Sequence, residues 1–406
     1  MARRLPKSAA LRARRWDVLV LGSALGGLAA AVRLGRAGLR VCVVEEETAA
    51  TLPIFLREPF LLPGVTGGGP LDRALRELGL PRIERRDLEP EPVAFQVLLP
   101  EARVEVGSPA LLASELVSWG LAKPEEAESL VVALAETGAE AATRLAALEW
   151  IRPSGLRRLT RAGREVEPFG PLPPPLANPG PRLAPLLQAW TRSLSKLARG
   201  TPPPDALARL LAAPLLGGAL FQRPQMGLRV LLQQRIEALH GDFRALAGPF
   251  RLAELGGDPG VARVGPGDVW LGRALLVNAP AAALRGALDG FEQEVPRWLR
   301  GPEPVAREVR VHARALRDAV PEPLARRALL AMAKSGCGSA AWPVSLALEP
   351  SARGSRFVEL VASATFPVDA DVERAEDTVA AMVARLLNAA GNRIRRAAPG
   401  PRPLWD

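Results

Sequence analysis

Two hydrophobic periods alternate at the front of the chain. Val18-Leu19-Val20-Leu21 is apolar at every position, the pattern of a parallel strand covered on both faces. Leu28, Ala31, Val32 and Gly35 then recur at helical spacing within residues 28–37, and Gly38 stands where a helix end favours glycine. Val41-Cys42-Val43-Val44 is a second wholly apolar run, closed by Glu45 and Glu46. The pattern predicts a β-α-β unit over residues 17–45.

Beyond it, residues 111–119, 124–148, 181–197 and 206–216 read as helices. The second opens with Pro124-Glu125-Glu126, a proline where the first helical turn accepts one. A proline-rich stretch, 171–185, leads into the third. Val230, Leu231, Gln234, Ile236 and Leu239 predict an amphipathic helix. Residues 250–255, 260–264 and 268–271 are short strand candidates separated by glycine turns, and 275–278 would return to the parallel sheet. Residues 344–348 and 357–365 are strand-like, and 371–390 is helical, with Val379, Met382, Val383, Leu386 and Leu387 facing inward.

A length of 406 residues predicts two to three domains, and 48% hydrophobic with 24% charged residues excludes a disordered tail or a multi-span membrane protein. The net charge of +10 raises the question of nucleic acid, but only four of the 53 cations are lysines and the arginines are scattered. A phosphate-binding stripe would gather its cations on one face, so no nucleic-acid partner is expected. Two cysteines, Cys42 and Cys337, cannot build a disulfide framework, and with His240 and His312 they show no metal-ligand spacing. No metal is expected, and Cys42 reads as a buried thiol. Arginines ahead of fifteen uncharged residues, 18–32, also outline a signal peptide, with Arg14-Arg15 hinting at a twin-arginine signal. A cleaved signal, however, needs no second strand ending in an acid.

The turn Gly22-Ser23-Ala24-Leu25-Gly26-Gly27 joins the first strand to the helix. Gly22 suits the tight turn, Gly27 suits close helix–sheet packing, and a helix N-terminus offers amides and a positive dipole end to a pyrophosphate. Glu45 stands where a carboxylate can accept from a ribose diol, and Glu46 adjoins it as a further cofactor-binding candidate. Ala24 occupies the usual middle-glycine position. The cofactor-binding candidates are therefore Gly22, Ser23, Ala24, Leu25, Gly26, Gly27, Glu45 and Glu46.

Residues 17–46, with Gly-Gly-Leu after the turn, resemble the opening of flavin-dependent amine oxidases and phytoene desaturases. Ala274-Leu275-Leu276-Val277-Asn278-Ala279-Pro280, then Ala281-Ala282-Ala283-Leu284, is similar to the strand, Asn-Ala, Pro, short-helix segment of phytoene-desaturase-like proteins. Gln225-Met226-Gly227-Leu228-Arg229-Val230-Leu231-Leu232 is similar to their glycine-started helix, with Met226-Gly227 in place of paired glycines. Residues 46–53 lack the Gly-Gly-Arg type loop of that family. No Gly-Asp closing segment follows 357–362, so the chain would be a truncated copy or would complete its site differently.

The resemblance implies an α/β fold: a Rossmann-like FAD/NAD(P)-binding domain with a parallel sheet, a mostly helical insert and a small antiparallel substrate-side sheet. The expected divisions are a basic extension at 1–15, a nucleotide domain from 16–100 and 221–290, a substrate or lid domain from 101–220 and 291–390, and a tail at 391–406. It further implies FAD, with NAD the alternative, and removal of hydride from a hydrophobic substrate, such as an isoprenoid or carotenoid, to flavin N5. No catalytic residue stands out, because in such chemistry the cofactor carries the hard step. The expected location is cytoplasmic, with peripheral contact to the inner face of the membrane as an alternative. Two other functions stay open: a degenerate Rossmann-fold protein that binds nucleotide or a partner without catalysis, and an NAD(P)-binding reductase. Glu45 favours NAD over NADP in the latter case.

Overall fold

The computed structural model describes residues 3–4, 13–46, 54–65, 69–147, 169–223, 225–246, 250–255, 257–263, 269–278, 306–331, 342–350, 356–387 and 394–396. Cys337, the short helix expected over 281–284, the stretch 47–53 and most of the tail lie outside them.

The first sheet is built on four parallel strands in the order Asp242–Leu246, Val41–Glu46, Ala13–Leu21 and Val269–Val277. Two antiparallel strands, Asp258–Arg263 and Phe250–Leu255, continue it, and Arg3–Arg4 adds a short parallel edge. The apolar runs alternate faces, as strand geometry requires. Val18, Val20, Val41 and Val43 pack against Leu28, Ala31 and Val32 of helix Leu25–Arg36 and against Leu231, Leu232 and Ile236 of helix Leu228–Ala238. Leu19, Leu21, Cys42 and Val44 face the other way, onto Trp16, Phe250, Val261 and Trp270. Burial of this kind contributes about 1.5–3 kcal/mol for each large aliphatic side chain. It also explains Cys42, whose thiol burial pushes up to about 12, with Asp242 adding to the shift.

The first strand starts at Ala13, ahead of the expected Asp17, and takes in the end of the presumed basic extension. The expected strands 268–271 and 275–278 are one strand, Val269–Val277. Gly272 lies within it, close against the neighbouring strand, where a Cβ would stand 2.9 Å from the Leu19 amide nitrogen.

The second sheet runs Ile394–Arg396, Ala306–Leu316, Phe357–Pro367, Val344–Pro350, Arg327–Leu330, Val93–Leu98, Arg103–Gly107. The sheet expected to be small and antiparallel thus has seven strands, and one pairing, Arg327–Leu330 with Val93–Leu98, is parallel. The chain joins it at Val93, some residues before the division expected at 100. Helix Val372–Leu386 seals one face, burying Ala375, Val379 and Val383 on Val309, Val311, Leu346, Leu360 and Ala362. Helices Pro109–Ser118, Pro124–Ala147, Ala184–Ser195 and Pro204–Ala212 pack on the far strands, around Phe95, Val97, Val104, Leu134, Leu186 and Trp190. No helix among the described residues is long and apolar enough to cross a membrane.

Candidate functional site

The turn expected to receive a dinucleotide has one residue in a glycine-only conformation, Gly22, at φ +98°, and its amide donates to Val44 O at 2.8 Å. Ala24 adopts φ −63°, ψ 158°, ordinary extended backbone, so the alanine at the middle position strains nothing. Helix Leu25–Arg36 starts immediately after it, earlier than the expected residue 28, and places Leu25, Gly26 and Gly27 in its first turn. No side chain caps this helix and its first turn holds no acid, leaving its amides and dipole to an anion. At Gly27 a Cβ would stand 2.6 Å from both Gly22 O and Asn278 Nδ2, so this is a packing glycine. Gly26 is open by comparison, its nearest contact being Asn278 Oδ1 at 3.6 Å. Asn278 closes the turn from the neighbouring strand: its amide donates to Leu21 O at 2.8 Å and its Nδ2 to Ala24 O at 3.2 Å.

Glu45, the penultimate residue of the second strand, turns its carboxylate back on Ser23. Three donors meet at its Oε2: Ser23 Oγ, Arg57 at 2.8 Å and Arg229 at 3.4 Å. Oε1 has no partner among the described residues, which leaves an acceptor for a ribose hydroxyl. Glu46 is the last residue of the strand, paired with Leu246. Arg229 also donates to Ser23 O, and to Ser23 Oγ at 2.8 Å. Burial pulls its pKa down to about 10, the charge of Arg57 adds to that, and Glu45 and Glu58 oppose it.

Glu58 accepts from the amides of Leu228 at 2.8 Å and Arg229 at 3.1 Å, and so caps helix Leu228–Ala238. Burial raises its carboxyl above the usual range, and the two amides hold part of that back. Of the two helices that start here, one is therefore closed by a carboxylate and the other is open to an anion. Arg57, Glu58 and Arg229 were not among the sequence candidates. Arg57 and Glu58 fall outside any motif, Arg229 lies within the segment that resembles a glycine-started helix, and only the fold brings Arg57 and Arg229 to Ser23 and Glu45.

Glu58 also lines a cavity of about 1630 Å³ between the helical insert and the second sheet. That exceeds the usual ligand pocket, about 300–1,000 Å³. Its helical wall includes Ala135, Gly138, Ala139, Leu210 and Leu215, and its floor is the unsealed face of the second sheet. The floor is charged. Glu308 pairs with Lys196 and Arg310, each at 2.8 Å, and Glu349 pairs with Arg327 at 2.5 Å and Arg326 at 3.9 Å. Burial alone would raise the Glu308 pKa, but Lys196 and Arg310 outweigh it and hold it down at about 2. Arg327 is lowered by burial, against the pull of Glu349. Further along the same face, Glu359 receives His312 at 2.9 Å and Arg314 at 2.6 Å.

Two of these arginines reach across to the segment that carries Arg57 and Glu58. Arg310 donates to Leu56 O at 2.7 Å and Arg327 to Phe60 O at 3.0 Å. The strand supplying Glu308, Arg310, His312 and Arg314 had a signal that was overlooked. Glu308-Val309-Arg310-Val311-His312-Ala313-Arg314-Ala315 alternates strictly, charged with apolar, the mark of a strand with one buried face.

An open helix N-terminus on a glycine turn, beside a strand-end carboxylate with a spare acceptor, defines a dinucleotide-binding α/β protein, and the residues present fit FAD. Residues 17–55 match the FAD binding domain family, and the cofactor is FAD. An oxidoreductase from Methanosarcina mazei superposes with a TM-score of 0.53 at 15% identity, over 94% of this chain and 86% of that one. A protein from Pyrococcus furiosus gives 0.52 at 16% identity, over 94% and 86%. RAB GDI from Plasmodium falciparum gives 0.50 at 9% identity, over 94% and 88%. These likenesses show a shared fold. No curated protein matches the chain in sequence.

Proposed function

We propose that the protein is an FAD-dependent oxidoreductase that takes a hydride from a hydrophobic small molecule held in the cavity between the insert and the second sheet. The observation that carries this reading is the continuity of the two sites. The segment that sends Arg57 to Glu45 at the turn also lines the cavity with Leu56, Glu58 and Phe60. When bound, FAD supplies a two-electron acceptor at N5. The chain's own part is to hold and orient. The amides at the start of helix Leu25–Arg36 and the Arg57–Arg229 pair would hold the pyrophosphate, Glu45 Oε1 would accept from a ribose hydroxyl, and the helical wall would exclude water from the substrate. In this reading Gly22, Ser23, Ala24, Leu25, Gly26, Gly27 and Glu45 form the cofactor contact.

The finer reading, a phytoene-desaturase-like reaction on an isoprenoid, is supported by the apolar helical wall but leaves the charged floor unexplained. A second function is favoured by a specific observation: the two carboxylates of the cavity floor, Glu308 and Glu349, are tied in ion pairs. That suits a binding protein without catalysis as well as it suits chemistry carried by a cofactor, and a fold by itself decides neither.

The visible spectrum of the purified protein separates the two. Flavin bands near one equivalent, bleached by a reductant and restored by air, support the oxidoreductase. A colourless protein that takes up no added FAD would refute it.

A further inference from the structure

The floor of the cavity carries more charge than an apolar substrate needs, and the charge is unbalanced. Near the turn, Glu45 and Glu58 are matched by Arg57 and Arg229. On the floor, the two carboxylates Glu308 and Glu349 face three cations, Lys196, Arg310 and Arg327. Sheet stability does not account for them. Buried ion pairs replaced by apolar residues of similar volume commonly leave a protein as stable or more so, and the opposite face of the same strands is already apolar.

Lys196 is placed to meet a ligand. It ends helix Ala184–Ser195 on left-handed backbone, φ +56°, and its side chain lines the cavity while remaining 40% exposed. Its ammonium thus keeps water, and hence a ligand anion, within reach while it touches Glu308. The same cavity is lined by the small and apolar residues Ala135, Gly138, Ala139, Leu210 and Leu215.

The geometry points to an amphiphile with an anionic head, carboxylate or phosphate, as the ligand of this cavity. Its apolar body lies along the helices and its head sits on Lys196 and Arg310. This deepens the function proposed above by naming the substrate class, and it rests on that reading only in calling the ligand a substrate. Flavin content and amphiphile binding are separate measurements. Retained flavin without anion binding refutes only the ligand class, whereas anion binding without flavin refutes only the oxidoreductase.

The test is competition for the full-length protein as purified, with a fluorescent polyene fatty acid as probe. Hexadecanoate or hexadecyl phosphate should displace it at concentrations at least about tenfold lower than hexadecanol or hexadecylamine, a difference that one to two desolvated ion pairs supply; which of the two anions is stronger identifies the head group. Lys196→Met keeps the apolar stem and removes the charge. It should weaken both anions about fivefold or more and leave hexadecanol unchanged. A probe that does not bind, an alcohol or amine that competes as well as the anions, or anions indifferent to Lys196→Met would overturn the proposal. The head-group series on the unaltered protein stands even where the variant fails to fold.

Discussion

Neighbouring glycines of the turn should respond to the same substitution with opposite signs. In Gly27→Ala the new methyl would stand 2.6 Å from Gly22 O and from Asn278 Nδ2. Ordinary contact is about 3.5 Å, so the helix start must withdraw by roughly 0.9 Å. Overpacking of this kind costs about 1–3 kcal/mol, and replacing a helical glycine by alanine returns about 1 kcal/mol at most. The net loss is about 1–2 kcal/mol, roughly 2–8 °C in apparent Tm for a domain of this size. Gly26→Ala meets only Asn278 Oδ1, at 3.6 Å. It keeps the helix gain without the clash, and its Tm should hold or rise. Thermal melts followed by far-ultraviolet circular dichroism read the stability, and the ratio of flavin to protein absorbance reads the cofactor. Gly27→Ala should also lose flavin, because withdrawal of the helix carries its first amides away from the phosphates. If the two variants melt alike, or Gly26→Ala loses more, the packing role assigned to Gly27 is wrong.

Glu45→Gln leaves the guanidiniums of Arg57 and Arg229 facing each other without their shared carboxylate. Breaking a buried pair of this kind should cost about 3 kcal/mol in urea unfolding, and a loss indistinguishable from zero would show that the three donors at Oε2 contribute nothing. Acid should weaken the cavity floor through Glu308, whose pKa falls from 4.5 to about 2 on folding. For a carboxylate so lowered, the stabilisation is complete above about pH 4.5 and is lost as pH falls toward 2, a total of about 3 kcal/mol. Unfolding measured from pH 6 down to pH 3 should show this loss in the parent and less of it in Glu308→Gln; equal slopes would discount the Lys196–Glu308–Arg310 cluster.

The β-α-β unit was legible because each of its features is local. An all-apolar strand, a glycine turn and a 3.6-residue period are written in consecutive residues, and packing on both faces of the sheet reinforces them. Errors there were of extent: the strand reaches back to Ala13 and the helix to Leu25, since pairing partners and cap geometry lie elsewhere in the chain. The cavity floor was illegible for a different reason. Lys196, Glu308, Arg327 and Glu349 come from four separate segments, and none of them carries a motif. Only the alternation over residues 308–315 announced a strand with a charged face, and what that face looks onto is decided by strand order.

The segment over residues 54–63 is the hardest case and the most consequential. It has no hydrophobic period: Leu56 and Leu62 are buried and Phe60 packs on Phe95, but its backbone carbonyls and charged side chains tie it to both sites. Arg57 is fixed by Glu45, Glu58 by the amides of Leu228 and Arg229, Leu56 O by Arg310 and Phe60 O by Arg327. The first two anchors belong to the nucleotide turn and the last two to the cavity floor. A shift of this segment toward either site must therefore loosen contacts at the other. A ligand that competes for Arg310 or Arg327 acts on the same ten residues that position Arg57 beside the cofactor turn. Any such coupling is reciprocal by thermodynamic necessity, so if FAD and a cavity ligand bind as proposed, adding the ligand should change the affinity for FAD and FAD should change the affinity for the ligand by the same factor, and a flavin titration with and without ligand that gives one affinity would refute the link.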